Sequence, residues 1–273
     1  MSSFENFVYS VLQAKMDRPP LYGAWHIVSI LLTVALTVLL VVFLRNAKDS
    51  TMRTVLFIGW LTIVVFEIAK QLNGAMHYDG YAVTWAYEWR WFPFQFCSTP
   101  MYVGLLAGLT RRGRVHESLC AYLATFATFA GICVMVHPGD VFIGTVGINI
   151  QTMICHGSML TIGIYLLGSG YVKAEHKTIL KALPVFCTAV AIAMGLNEWA
   201  YRSGLTEEYY FNMFYFSPHT DPHLPLYSDV QNALGVANPL SFIIYVAGFT
   251  LAAYLVLLLA MGIRAMVCRK KKA

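Results

Sequence analysis

The sequence predicts an all-α polytopic membrane protein, a bundle of seven transmembrane helices with its N-terminus outside and its C-terminus in the cytoplasm. Of its 273 residues, 58% are hydrophobic and only 12% are charged, whereas about 25% of the residues in a soluble domain are charged. The apolar residues form runs of about 20, which is the length that crosses a bilayer as a helix. The composition therefore excludes a soluble globular domain.

Seven apolar runs are long enough to cross the hydrocarbon core. They divide the chain into an N-terminal external segment (1–20), a seven-helix transmembrane domain (21–265) and a basic cytoplasmic tail (266–273). The predicted spans lie at residues 22–44, 54–73, 91–110, 117–137, 146–170, 179–201 and 239–263.

The orientation follows from the basic residues. Most Lys and Arg fall in alternate linkers and in the tail, and cytoplasmic loops of membrane proteins are enriched in these residues. The opposite linkers are acidic and rich in Trp and Tyr, which suit the membrane interface. Because the net charge of +5 is explained by topology, we expect no nucleic-acid partner and a location in the cell membrane.

The 201–238 connection is long and rich in Pro, Tyr and His, which makes it a candidate lid. His219, Asp221 and His223 within it could ligate zinc, but the surrounding prolines remove the helical spacing of a zinc protease motif. The six cysteines show no disulfide or zinc-knuckle pattern. We therefore expect no metal and no cofactor.

Polar residues inside the spans are the main functional signal, because ionisable groups there are costly and usually face a bundle interior or a wet cavity. Most of them lie toward the predicted outer side, so we expect a polar cavity that opens outward. These residues are His26 in span 1, Glu67 and Lys70 in span 2, Gln95 and Cys97 in span 3, Gln151 and His156 in span 5, and Asn197 in span 6.

Cys97 and His156 are the candidate catalytic pair. An imidazole can take the proton of a nearby thiol, and the thiolate can then attack an ester carbonyl. With about 1.5 Å of helical rise per residue, Cys97 would lie about 9 Å and His156 about 15 Å below the outer ends of their spans, so the two could meet. The alternatives are structural. The thiol also fits a small apolar group, the imidazole fits an interhelical hydrogen bond, and Glu67 with Lys70, three residues apart, fits a neutralising ion pair.

Short motifs along residues 20–265 resemble, in order, those of the YwaF-like integral membrane proteins. His26 and Asn197 also stand where that family has His and Asn. The chain departs from the family pattern at Gln95, where the family often has His, and at Ser98, where it often has Asp. The matching motifs are Phe92–Cys97 for LPLHLC, His137–Asp140 for the TPD turn, Cys155–Gly157 for SHG, and Asn212–Tyr215 with Pro218 for the NYMFL-x-x-P segment.

This resemblance implies an activity. A eukaryotic relative of that family is a cysteine-dependent phospholipid acyltransferase, and its cysteine and histidine would correspond to Cys97 and His156. The resemblance implies that Cys97 takes an acyl group from a glycerolipid and that His156 acts as base and then acid. Glu67 or Asn197 would orient the histidine, and membrane lipids would be the partners.

A second hypothesis is a transporter or small-molecule receptor that uses the same cavity without covalent chemistry. Glu67, Lys70 and His156 would then bind the ligand or relay protons, and Cys97 would be dispensable. Under either hypothesis, supporting or binding roles are expected for Gln95, Gln151, His26 and Asn212.

Overall fold

The computed structural model confirms the all-α class. Among the described residues, the regular structure is helical apart from one two-stranded antiparallel sheet, formed by β1 (Met76–Tyr78) and β2 (Val83–Trp85). Three residues named above, Asp140 of the predicted turn and Asp221 and His223 of the considered zinc site, lie outside the described residues. The structure describes residues 1–139, 141–208, 210–220, 224, 226–235 and 238–270.

Within the described residues, six helices are long and apolar enough to cross a membrane. They are α2 (Ala24–Leu44), α3 (Asp49–Ala75), α5 (Arg114–Tyr122) continued through a π-helical turn into α6 (Thr128–Val136), α7 (Val146–Gly168), α8 (Lys177–Arg202) and α11 (Pro239–Lys270). The 21 residues of α2 measure about 31 Å, which matches the ~30 Å hydrocarbon core. These helices establish a multi-pass membrane protein.

The third predicted span differs from the expectation. It is helical only over α4 (Thr99–Leu109), whose 11 residues measure about 16 Å. The chain reaches α4 through two 3₁₀ turns, Trp89–Trp91 and Phe96–Ser98, on either side of Pro93, which lacks a backbone N–H and disfavours helix before it. The continuous helix from residue 91 that the predicted depth of Cys97 assumes is not formed, so that depth stays a prediction. The seven-span count and the orientation stay predictions.

The remaining helices are short and lie outside the long spans. They are α1 (Ser3–Phe7), which continues as a π-helical turn (Val8–Leu12), α9 (Leu205–Glu208), a 3₁₀ turn (Met213–Tyr215) and α10 (Tyr227–Leu234).

Helix α7 is the centre of the bundle and contacts α2, α3 and α6. Glycines allow the close approach that membrane helices use to pack without a hydrophobic driving force. A Cβ on Gly131 would lie 2.9 Å from the carbonyl oxygen of His156, and a Cβ on Gly163 would overlap Thr128 Oγ1. This close packing fixes the backbone that carries His156.

The predicted external segment is docked on the bundle. Gln13 Nε2 donates to the carbonyl oxygens of Asn73 (2.8 Å) and Met76 (2.7 Å) at the end of α3. The backbone N–H of Val146, the first residue of α7, donates to Ala14 O at 2.9 Å. The N-terminal segment therefore joins the ends of α3 and α7 that carry the polar residues.

Candidate functional site

Glu67 is the centre of a buried polar cluster on α3. Lys70 Nζ lies 2.7 Å from Glu67 Oε1, and the two side chains are only 19% and 8% exposed. The ion pair expected from the three-residue spacing is thus confirmed. Gln71 Nε2 donates to the same carboxylate oxygen at 2.7 Å and to Trp91 O at 2.7 Å. Gln71 therefore ties the cluster to the chain that leads into α4.

His156 has one occupied and one unoccupied ring nitrogen. Its Nδ1 lies 2.7 Å from Thr152 O, and because a carbonyl only accepts, the proton of the neutral ring is on Nδ1 and Nε2 carries a lone pair. The residue is 7% exposed, and Nε2 is buried without a hydrogen-bond partner. Buried polar atoms usually have partners, so Nε2 is available to a further proton donor.

Cys97 lies in the second 3₁₀ turn and is partly buried. Helix α3, which carries the ion pair, packs against both α4, which begins two residues after Cys97, and α7, which carries His156. The thiol and the imidazole therefore belong to the two neighbours of the helix that carries the ion pair. The structure does not join the thiol to the imidazole by a hydrogen bond, since Nε2 has no partner.

A small internal cavity supports this placement. Pro100, three residues after Cys97, and Met159, three residues after His156, both line a void of about 10 Å³. Ile63 of α3 lines it as well. Because α3, α4 and α7 meet at this void, Cys97 and His156 lie at a similar level, about one helical turn, or ~5 Å, toward the predicted outer side.

Gln95 and Asn197 have a different role from the one expected. Gln95 Nε2 donates to Asn212 O (2.8 Å), and the N–H of Phe214 donates to Gln95 Oε1 (2.9 Å). Asn197 Nδ2 donates to Met213 O (3.0 Å), and the N–H of Met213 donates to Asn197 Oδ1 (2.7 Å). Both amides are thus occupied by backbone, so the structure corrects the expectation that Asn197 orients His156.

These bonds hold the 212–217 segment, which belongs to the candidate lid. Asn212 Oδ1 accepts from the N–H of Ser217 at 2.9 Å, and Tyr245 OH donates to Phe214 O at 2.9 Å. Phe214 and Tyr215 adopt positive φ angles of 60° and 56°, which bulky residues seldom adopt unless surrounding contacts impose them. The 212–217 segment therefore has a fixed conformation beside Cys97. In the structure, Asn212 anchors this segment.

His26 and Gln151 also have partners inside the protein. The N–H of Tyr22 donates to His26 Nδ1 (3.0 Å), so the opposite nitrogen, Nε2, donates to Met135 O (2.8 Å). His26 thereby links the start of α2 to the end of α6. Gln151 Nε2 lies 3.5 Å from Cys155 Sγ. These two side chains thus bind partners inside the protein, and the outward cavity stays a prediction.

Sequence reasoning missed a second polar cluster at the predicted cytoplasmic side. Tyr171 OH donates to Asp49 Oδ1 (2.8 Å) and lies 2.7 Å from His116 Nε2. Arg53 and Arg112 bind the same carboxylate at 3.0 and 2.8 Å. Burial, and then the bond to Asp49, raise the pKa of Tyr171 to about 12. The sequence signal for this cluster is the charge of the basic linkers, which on its own indicates only the membrane topology.

Among the described residues, no group of three or more His, Cys, Asp or Glu side chains could hold a metal ion. His219, the described member of the considered zinc site, lies 3.0 Å from Glu198 Oε2 and stacks on Tyr201.

Comparison with known proteins places the chain in a family. No curated protein and no solved structure gave a significant match. A family model covers residues 21–262, which is nearly the whole predicted transmembrane domain. The YwaF-like resemblance and the acyltransferase relation stay predictions. The chain belongs to the TMEM164 family of membrane proteins.

Proposed function

We propose that Cys97 and His156 form the active site of an intramembrane lipid acyltransferase or lipid hydrolase that acts on glycerolipids. The observation that carries the proposal is the buried, unpartnered Nε2 of His156, on the same side of the bundle as the Cys97 thiol. A fixed proton on Nδ1 and a bare Nε2 are what a general base requires. The proposed location is the cell membrane.

In the reaction, Nε2 of His156 takes the proton of the Cys97 thiol, and the thiolate attacks the ester carbonyl carbon of the lipid. The carbon–oxygen ester bond breaks, and the leaving alkoxide takes the proton from His156. The acyl group is then held as a thioester on Cys97. A hydroxyl of a second lipid, or water, gives its proton to His156 and attacks the thioester, and the departing sulfur regains that proton.

Lys70 supports this chemistry by its charge. An ammonium in a low-dielectric site stabilises a thiolate and the oxyanion of the tetrahedral intermediate. Glu67 holds Lys70 at 2.7 Å, and Gln71 holds the carboxylate. Glu67 is therefore proposed to position Lys70 rather than His156.

The test is intact-protein mass spectrometry after incubation of the purified protein with mixed phospholipids. We expect a hydroxylamine-labile acyl adduct on the wild type, none on Cys97→Ala, and slower adduct formation on His156→Gln. Cys133→Ala, which removes an exposed thiol, is the matched control and should keep the adduct. An undiminished adduct on Cys97→Ala would show that another residue carries the acyl group and would refute the mechanism.

Non-covalent ligand binding or transport is the second candidate function. The Glu67–Lys70 pair favours it, because buried ion pairs within membrane helices often mark substrate or proton pathways. In this case Cys97→Ala would keep full function, and Lys70→Met would abolish ligand-dependent thermal stabilisation. The mass-spectrometric adduct distinguishes the two functions, since transport predicts none.

A further inference from the structure

A wide apolar groove runs between α8 and α11 on the outside of the bundle. Its volume is about 960 Å³, at the upper end of the range of roughly 300–1,000 Å³ for small-molecule sites. Ile179 and Val190 of α8 and Val246 and Ala247 of α11 form its walls. No Asp, Glu, Lys or Arg is among the side chains that line it. The groove therefore fits a hydrocarbon ligand.

The groove has a polar end and a defined length. His176 Nδ1 lies 2.6 Å from Tyr254 OH, and this contact joins the two helices at the predicted cytoplasmic end. From Ile179 to Met194 the groove follows α8 for about 22 Å at 1.5 Å per residue. That exceeds the ~15 Å of one leaflet, half of the hydrocarbon core. An acyl chain that spans one leaflet can therefore lie inside the groove over the whole length of the chain.

The groove is separated from the Cys97 turn by aromatic side chains. Phe186 of α8 is fully buried behind the wall, and its ring centroid lies 6.0 Å from that of Phe249 in α11. Phe96, which directly precedes Cys97, lies 5.8 Å from Phe186 and 4.9 Å from Phe249. Phe186 and Phe249 thus form one layer of side chains between the groove and the Phe96–Cys97 turn.

We propose that the groove between α8 and α11 binds one acyl chain of a membrane phospholipid and holds it against the Phe186 and Phe249 layer, behind which the Phe96–Cys97 turn lies. The occupant follows from position, because both walls belong to membrane-spanning helices and open toward the hydrocarbon. The use of this chain as a substrate near Cys97 rests on the proposed function, whereas the binding of the chain does not.

The test uses vesicles of phosphatidylcholine that contain a trace of a phosphatidylcholine with a diazirine in one acyl chain. After irradiation, we expect labelled peptides concentrated in 179–194 and 242–254. Ala191→Trp and Ala247→Trp fill the groove from exposed positions, so they should fold, and each should lower this labelling severalfold. Ala265→Trp, an exposed residue of α11 outside the groove lining, should leave it unchanged.

Equal labelling of all lipid-facing helices, or labelling unaffected by Ala191→Trp, would overturn the proposal. A second result would also overturn it: unlabelled groove peptides together with a covalent dimer formed by a thiol crosslinker at Cys187, which lines the groove. A second copy of the chain would then occupy the groove. Cys97→Ala should keep the groove labelling. Labelling without an acyl adduct on the wild type would refute the proposed activity and leave the groove assignment standing.

Discussion

Asn197→Ala is expected to destabilise the protein strongly, because this side chain holds the 212–217 segment from inside the bundle. The residue is 1% exposed, and its amide binds both the N–H and the carbonyl of Met213. Each buried group left without a partner costs about 1–3 kcal/mol. With two such groups, and some relaxation of the segment, we expect a loss of about 2–4 kcal/mol.

The assay is thermal unfolding of the purified protein in lipid-containing micelles. Thr188→Ala is the control on the same helix, since its exposed hydroxyl binds only Pro184 O within its own helix and should cost little. Asn197→Asp should lower the midpoint at least as far as Asn197→Ala, because it sets an unpaired carboxylate oxygen against Met213 O in a buried place. Equal midpoints for Asn197→Ala and Thr188→Ala would refute this account of the segment.

Three further outcomes are expected. Gly163→Ala should lower the unfolding free energy by about 1–3 kcal/mol through overpacking, whereas Gly195→Ala, whose Cβ meets nothing within 4 Å, should be neutral or slightly stabilising by thermal melting. Lys70→Met leaves the Glu67 carboxylate without its cation and should lower the unfolding free energy by about 3–5 kcal/mol. Adding Glu67→Gln to the same chain should restore most of that stability in the same thermal melt. Tyr171 has a folded-state pKa of about 12, above the ordinary value near 10. Its stabilising effect should therefore be present below about pH 10 and fall as the pH rises toward 12. A thermal melt of Tyr171→Phe that shows the same loss of stability at alkaline pH as the wild type would contradict this.

The helical architecture could be predicted because it depends on local composition. Apolar runs of the right length dictate helices in a membrane, and six of the seven predicted spans correspond to long helices. The Glu67–Lys70 pair was also predictable, since residues three apart share a helix face. The shortened helix at Thr99–Leu109 was not, because hydropathy counts apolar residues and ignores what Pro93 does to the backbone.

The partners of the buried polar residues could not be predicted, because they come from distant parts of the chain. Gln95 binds backbone at residues 212 and 214, 117 and 119 positions away. Asp49 meets Tyr171 across 122 positions. A polar residue in a span indicates that a hydrogen-bond partner is present, but only the packing of the helices decides whether that partner is a backbone group or a ligand.

The docking of the N-terminal segment has a consequence for biosynthesis. Ala14 accepts its hydrogen bond from Val146, and these residues are 132 positions apart in the printed sequence. At about 5–20 residues per second of translation, the ribosome needs roughly 7–26 s to make the second after the first. During that interval the carbonyl of Ala14 has to bind water or another group instead of Val146. Residues 12–16 thus reach their final position only after the start of α7 has been made.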